Sequence, residues 1–271
     1  MESRIPIRFF IITFLWSWIF IGIAIIISHV NNKDFSLMES GIGLMIIVLG
    51  ACGPGMGAII SIYTIEGKDS LKNFLKSFLS LKFGWKVWIA ISLVLGGSCF
   101  IAWIIPEFFG ESRIQSFLPN VFIFPAYLLL MIFFGGGQEE IGWRGYIMPY
   151  LENKFGLILG GLILGIVWSI WHLPLWLVPG SSQIYMNFFG FVLICIGYSY
   201  FFSWVIKASG NRLLAGLVAH GAANAFTPLF PTIILTENVK QIRFWIYCII
   251  ILVIGIIVVL ARTYRNREYV A

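Results

Sequence analysis

Charge is scarce in this chain. Of its 271 residues only 11% are Asp, Glu, Lys or Arg, while 59% are hydrophobic; soluble domains carry about 25% charged and 45–50% apolar residues. That shortage excludes an ordinary soluble domain and implies a membrane protein. Cysteine patterning is missing too. Cys52, Cys99, Cys195 and Cys248 stand alone in apolar stretches with no CxxC or ligand spacing, so they read as small buried hydrophobes, not as a disulfide framework or a zinc module. No HExxH occurs. Gly53-Pro54-Gly55-Met56-Gly57 lacks the Lys-Ser/Thr ending of a phosphate loop and reads as a kink with close helix packing. Without an internal repeat or a polar segment long enough to fold alone, the chain is expected to be one membrane-embedded domain over 1–271.

What is present is a series of long apolar runs. A hydrocarbon core of roughly 30 Å needs about 20 apolar residues per helix. Charge-free stretches run Phe9 to Ser28, Gly41 to Ile65, Val87 to Pro106, Ile114 to Gln138, Phe155 to Ile206, Leu213 to Thr236 and Phe244 to Ala261. The fifth carries Pro174, Pro179, Gly180, Ser181 and Ser182 near its middle, a turn between two spans. The expected fold is therefore all-α and polytopic, with about eight transmembrane helices. Continuous apolar runs argue against a β-barrel, whose strands alternate. The first span follows Arg4 and Arg8, exceeds a signal-peptide core in length and lacks an Ala-x-Ala site, so it is read as retained.

The net charge of +6 is a topology signal and not a nucleic-acid footprint. With the N-terminus cytoplasmic, 14 basic residues fall inside and 4 outside, the latter Lys33, Arg113, Lys240 and Arg243, as the positive-inside rule expects. Both termini should be cytoplasmic, and the basic face should meet anionic lipid headgroups. Between Glu66 and Lys86, Leu71, Phe74, Leu75, Phe78 and Leu79 recur at helical intervals among lysines, which predicts an interfacial amphipathic helix on that face.

A charge at the bilayer centre costs roughly 2.5–3.5 kcal/mol, so intramembrane ionisable residues usually face a cavity and partner one another. Gln138-Glu139-Glu140-Ile141-Gly142-Trp143-Arg144 is the most informative segment. Glu140 and Arg144 are four apart in the orientation that favours a helical ion pair, and Glu139 points about 100° away. One glutamate thus has a built-in partner and the other is free. The preceding Gly135-Gly136-Gly137 allows a bend or a water pocket. Glu139 and His172 are equidistant from a turn at Phe155/Gly156, about 16 residues or 25 Å along each helix, so they should face each other below the cytoplasmic surface. His172 sits in Trp168-Ser169-Ile170-Trp171-His172, and His220 and Asn224 lie four apart on one helix face, separated by small residues that leave room for a ligand. Two glutamates, two histidines and an asparagine amide suit hydrolysis: a desolvated carboxylate as base towards water, a histidine to share that water, and imidazole and amide donors for an oxyanion. Imidazole plus carboxylate also suits zinc, although no spacing compels it.

With Glu139, Glu140 and Arg144 matching EExxxR, Trp168 and His172 matching (F/W)xxxH, and His220 and Asn224 matching HxxxN, the sequence resembles the CAAX protease and bacteriocin-processing (CPBP, or Abi) intramembrane proteases, which include the prenyl-protein endopeptidases. The resemblance covers about residues 114–230, and Trp168 stands where relatives often have Phe, a conservative exchange. It implies an endopeptidase with its site in the cytoplasmic half of the membrane, acting on a membrane-associated, lipidated or unlipidated protein or peptide. By that resemblance Glu139 and His172 activate water, Glu140 holds Arg144 and shapes the site, and His220 with Asn224 forms the oxyanion hole. No cofactor is required in this glutamate mechanism. Zinc, held by Glu139, His172 and His220, is the alternative. A bacterial cell membrane is the expected location. Two other readings use the same residues: a non-catalytic immunity or scaffold protein, and a proton-coupled transporter, which the missing repeats and paired broken helices disfavour.

Overall fold

The computed structural model describes residues 6–30, 40–80 and 82–268, with side chains to Tyr264. Arg4, Lys33 and the side chains of Arg265 and Arg267, all counted in the topology argument, lie outside that set. Among the described residues every regular element is helical. In chain order these are α1 (Ile7–Val30), α2 (Gly41–Ala51), α3 (Gly53–Ile65), α4 (Lys68–Lys76), α5 (Trp85–Phe109), α6 (Phe124–Phe133), α7 (Met148–Trp171), α8 (Phe188–Ala208), α9 (Leu213–Leu229) and α10 (Ile242–Glu268).

Five helical stretches are long and apolar enough to cross a bilayer: Ile7–Val30, Trp85–Phe109, Val121–Leu177, Phe188–Ala208 and Ile242–Tyr264. The pair α2 and α3, bent by 43° at the break, makes a sixth. This is a multi-pass membrane protein. The 57-residue stretch Val121–Leu177 is not straight. Gly156 takes φ 79° and ψ 176° inside α7, a conformation that favours glycine, and the chain folds back there. A Cβ on Gly160 would lie 3.0 Å from the Leu151 carbonyl carbon, and Trp168 reaches Glu139 across the same hairpin.

Apolar lipid gives helices little hydrophobic reason to associate, so close backbone approach must supply the contact. Gly53 and Gly57 of α3 sit against Ser17, Thr13 and Phe9 of α1, Gly161 and Gly165 of α7 against Tyr200 and Ile196 of α8, and Gly197 of α8 against Ile251 of α10; each leaves no room for a Cβ. The Gly-Pro-Gly-Met-Gly segment is thus the kink and packing surface that its composition suggests. One continuous buried cluster runs from Phe9 to Ile251 and includes Leu95, Trp143, Leu164 and Phe202. Outward faces stay apolar, as Ile19, Leu93 and Ile257 show.

The bundle has two distinguishable ends. At one, Arg262 of α10 pairs with Glu152 beside the Gly156 turn at 3.0 Å, Phe9 packs on Tyr146, and Phe74 and Phe78, on and just after α4, cover Gly145. At the other, Arg243 donates to the carbonyls of Trp103 and Ser112, and Phe117 N–H donates to the Pro228 carbonyl. Leu71, Phe74 and Phe78 pack on the core while Lys72, Asn73 and Lys76 are exposed.

Candidate active site

The helix that α6 begins does not continue into the glutamates. Phe134 ends it, Gly136 adopts φ 124°, and a short 3₁₀ turn, Gly137–Glu139, restarts the chain. Gln138 stabilises the break: its Oε1 accepts from Gly136 N–H at 2.9 Å and its Nε2 donates to the Phe134 carbonyl. Beyond it, Glu140–Gly142 leads into a π turn, Trp143–Ile147, before α7. The break aims two adjacent glutamates in different directions.

Glu140, 1% exposed, is the structural one. Its Oε1 accepts from Arg144 Nη1 and from His220 Nδ1, both at 2.8 Å. Arg144 is held further by Ser199 Oγ at 3.2 Å, and its guanidinium lies 4.5 Å over the Trp168 ring and 5.2 Å over Phe202. A buried charge pair needs such extra partners to offset its desolvation. The ion pair anticipated from the four-residue spacing is present. Its carboxylate also fixes the orientation of His220, a link between the first and third motifs that spacing alone does not reveal.

Glu139 faces the other way, into a cavity of about 430 Å³ that His172, Trp168, His220 and Asn224 also line. Its Oε2 accepts from the indole Nε1–H of Trp168 at 2.8 Å, leaving Oε1 towards the cavity. His172 Nδ1 lies 2.8 Å from the Trp168 carbonyl. A carbonyl only accepts, so Nδ1 carries the proton and the neutral ring presents its Nε2 lone pair. Rings of Trp171 and Phe191 box His172 in at centroid distances of 4.6 and 5.1 Å. His172 is thus both packed among aromatics and part of the cavity wall that Glu139 shares.

Trp168 in place of Phe is not a conservative exchange in this structure, because the indole N–H is used. Its N–H holds Glu139, its carbonyl holds His172, and its ring carries Arg144 and meets His220 edge-on at 5.2 Å. Phenylalanine supplies the packing but not the donor. The sequence did carry a signal, since the N–H of a buried Trp usually finds an acceptor.

His220 and Asn224 lie on the inward face of α9. With Nδ1 engaged by Glu140, His220 directs Nε2 to the space over Gly136, and Asn224 Nδ2 points to the same place while donating to the Gly135 carbonyl at 2.5 Å. A Cβ on Gly136 would come within 2.6 Å of His220 Nε2 and 2.5 Å of Asn224 Nδ2. The glycine triplet therefore passes directly against both groups. The small residues between them, by contrast, do not make room for a ligand: Gly221 is filled by Ile132 of α6, and Ala222 and Ala223 are buried. They let α6 and α9 touch.

The zinc alternative does not fit this donor set. Among the described residues no three His, Cys, Asp or Glu side chains gather closely enough to hold a metal ion, and the His220 nitrogen nearest a carboxylate is already bonded to Glu140. The arrangement instead gathers around one cavity two acceptors, Glu139 Oε1 and His172 Nε2, and two nitrogens able to donate, His220 Nε2 and Asn224 Nδ2.

Residues 119–226, which contain all three motifs, match the family model described as Type II CAAX prenyl endopeptidase Rce1-like. A CAAX prenyl protease 2 from Methanococcus maripaludis is 25% identical, over 78% of this chain and 80% of its own length. Both matches run through the segment that builds the cavity, and by them the chain is similar to the CAAX prenyl endopeptidases, the group its motifs resemble.

Proposed function

We propose that the protein is an intramembrane endopeptidase that hydrolyses a peptide bond of a membrane-associated protein or peptide. The observation that carries this reading is the meeting, in one cavity, of a free glutamate, a tautomerically fixed histidine and a pair of nitrogen donors. A water between Glu139 Oε1 and His172 Nε2 gives one hydrogen bond to each. As its oxygen attacks the scissile carbonyl carbon, its proton passes to Glu139. The oxyanion is met by Asn224 Nδ2–H and by Nε2–H of His220. Because Nδ1–H of His220 already donates to Glu140, Nε2 can donate only from the imidazolium, whose charge the Glu140 carboxylate balances. Collapse of the adduct expels the amine, which takes the proton back from Glu139. The products are a carboxylic acid, which gives up its proton on release, and a free amine, and no metal enters any step.

The apolar walls, among them Met131, Phe191 and Ile194, suit an uncharged segment, and a cavity of this volume is within the usual ligand-site range of roughly 300–1,000 Å³. By the relatives' names a prenylated CAAX C-terminus is the first substrate to try. The reading has the whole chain act as one membrane domain with eight spans, the Gly156 hairpin counting as two and α9 as one, in a bacterial cell membrane. Both termini are cytoplasmic and α4 lies on the inner interface. Purified protein incubated with a farnesylated CAAX peptide, and separately with membrane peptides lacking the lipid, should release a C-terminal fragment seen by mass spectrometry. Complementation of a deletion strain by a folded but inert Glu139→Gln protein would replace this reading with the non-catalytic one.

A further inference from the structure

The cavity is not symmetric between the two ends of the bundle. Its walls include Phe117 from the α5–α6 connection, Ser181 to Gln183 from the α7–α8 connection, and Thr232, Ile233 and Leu235 after α9. All three connections lie at one end: Phe117 N–H donates to the Pro228 carbonyl, Gln241 bonds both backbone groups of Ile234, and Ile184 and Tyr185 line a second cavity with Thr236 and Gln241. Phe117 and Leu235 are each 47% exposed, so the cavity reaches the surface there. No residue of the Gly156 turn, of α4 or of the α8–α9 connection lines it.

Towards the opposite end the site is closed. Glu140, Arg144 and Trp143 are at most 3% exposed, Gly142 is pressed against the Pro54 backbone, and Phe202 and Trp168 clamp the guanidinium. A separate cavity of about 260 Å³ approaches Arg144 from that end, past Ser77 and Lys207, but touches none of Glu139, His172, His220 or Asn224.

The ends also differ in charge. Among the described residues, the closed end carries ten basic residues outside the core, from Arg8 and the lysines around α4 to Lys207, Arg212 and Arg262, against Glu66, Asp69 and Glu152. The open end carries Arg113, Lys240 and Arg243, balanced by Glu107, Glu111 and Glu237. Basic residues flanking spans stay on the cytoplasmic side. The family resemblance implies a site served from the cytoplasmic half, but the cavity walls and the charges together argue for the other face.

We propose that the catalytic cavity opens on the extracytoplasmic face, so that its substrate is a membrane-anchored polypeptide whose cleaved, uncharged segment is presented from outside. This rests on the protease reading for the word substrate, but not for the orientation. The walls carry no Lys or Arg, and their ionisable residues with acid or imidazole groups are Glu139, His172 and His220. Apart from the groups assigned to the reaction itself, a charged segment would therefore find no partner in the walls. Ser181, Ser182 and Gln183 supply the polar rim.

The test uses the full chain in intact cells, with half-buried Cys52 replaced by Ala and the three buried cysteines kept. Thr236→Cys at the open end should react with a membrane-impermeant maleimide in intact cells. Asn73→Cys on α4 should react only after permeabilisation. The reverse pattern, or equal labelling of both in intact cells, overturns the proposal. In purified protein, a bulky maleimide on Ser182→Cys should slow cleavage of the peptide at least tenfold and the same adduct on Asn73→Cys should not; equal rates would show that the rim is not the entrance. If no variant and no parent cleaves anything, the protease reading fails, while the labelling still decides the orientation.

Discussion

The tightest constraints in the site are borne by single atoms. The Trp168 Nε1–H is one: its bond to the Glu139 carboxylate fixes which oxygen faces the cavity. Hydrogen bonds to charged groups contribute about 1.5–3 kcal/mol, so Trp168→Phe should keep the fold and lower kcat of the proposed peptidase on the order of ten- to a hundredfold, with KM little changed. Steady-state kinetics on the purified variant decides it; an unchanged kcat would make Trp168 packing only. Gly136 is another. Alanine there must adopt φ 124° and push aside both His220 Nε2 and Asn224 Nδ2. Loss of one oxyanion donor typically costs about 10²–10³ in kcat, and Gly136→Ala should lose at least that much in the same assay. At this scale the residues themselves were legible in the sequence, because buried charge in an apolar chain is conspicuous. Their bonds were not: the sequence marks Trp168 as an aromatic and Gly136 as a hinge, and only coordinates reveal what each one touches.

Among elements, the break between α6 and α7 and the Gly156 turn act together. The 3₁₀ and π turns on either side of Glu140 rotate the two glutamates apart, and the hairpin brings Trp168 and His172 back to them. The equal distance of Glu139 and His172 from Phe155/Gly156 was readable by counting, and the pairing across the hairpin shows why counting works for antiparallel helices. The π turn had no such signal, since Trp143–Ile147 contains neither proline nor an unusual residue pattern. Arg144 ties this region to α8 through Ser199 and Phe202, and Glu140 ties it to α9 through His220. Breaking one half of a buried pair costs about 3–5 kcal/mol, so Arg144→Met should lower the melting temperature in detergent strongly. Combining it with Glu140→Gln should recover much of that stability without recovering cleavage, because His220 then lacks the carboxylate that charges and aims it. Thermal unfolding and peptide cleavage on the same samples separate the two effects.

Viewed whole, the molecule is a bundle held by glycine-lined contacts, with the cavity of Glu139 and His172 let into one end. Its membrane character followed from composition, and its two ends from the distribution of Lys and Arg. The direction in which the cavity opens did not follow, because the lining comes from three connections far apart in sequence, around Phe117, Gln183 and Ile233. Nor does any spacing rule place the zinc alternative; among the described residues no three His, Cys, Asp or Glu side chains gather closely enough to hold the ion. The central claim is that Glu139 and His172 act as a unit on one water, and a double-mutant cycle on cleavage tests it most directly. Glu139→Gln, His172→Gln and the double variant, each checked for an unaltered melting temperature, should all lose activity to a similar floor, the double losing no more than the worse single, as residues of one catalytic unit do. Losses that multiply in the double variant, or either single variant retaining wild-type kcat, would contradict the account.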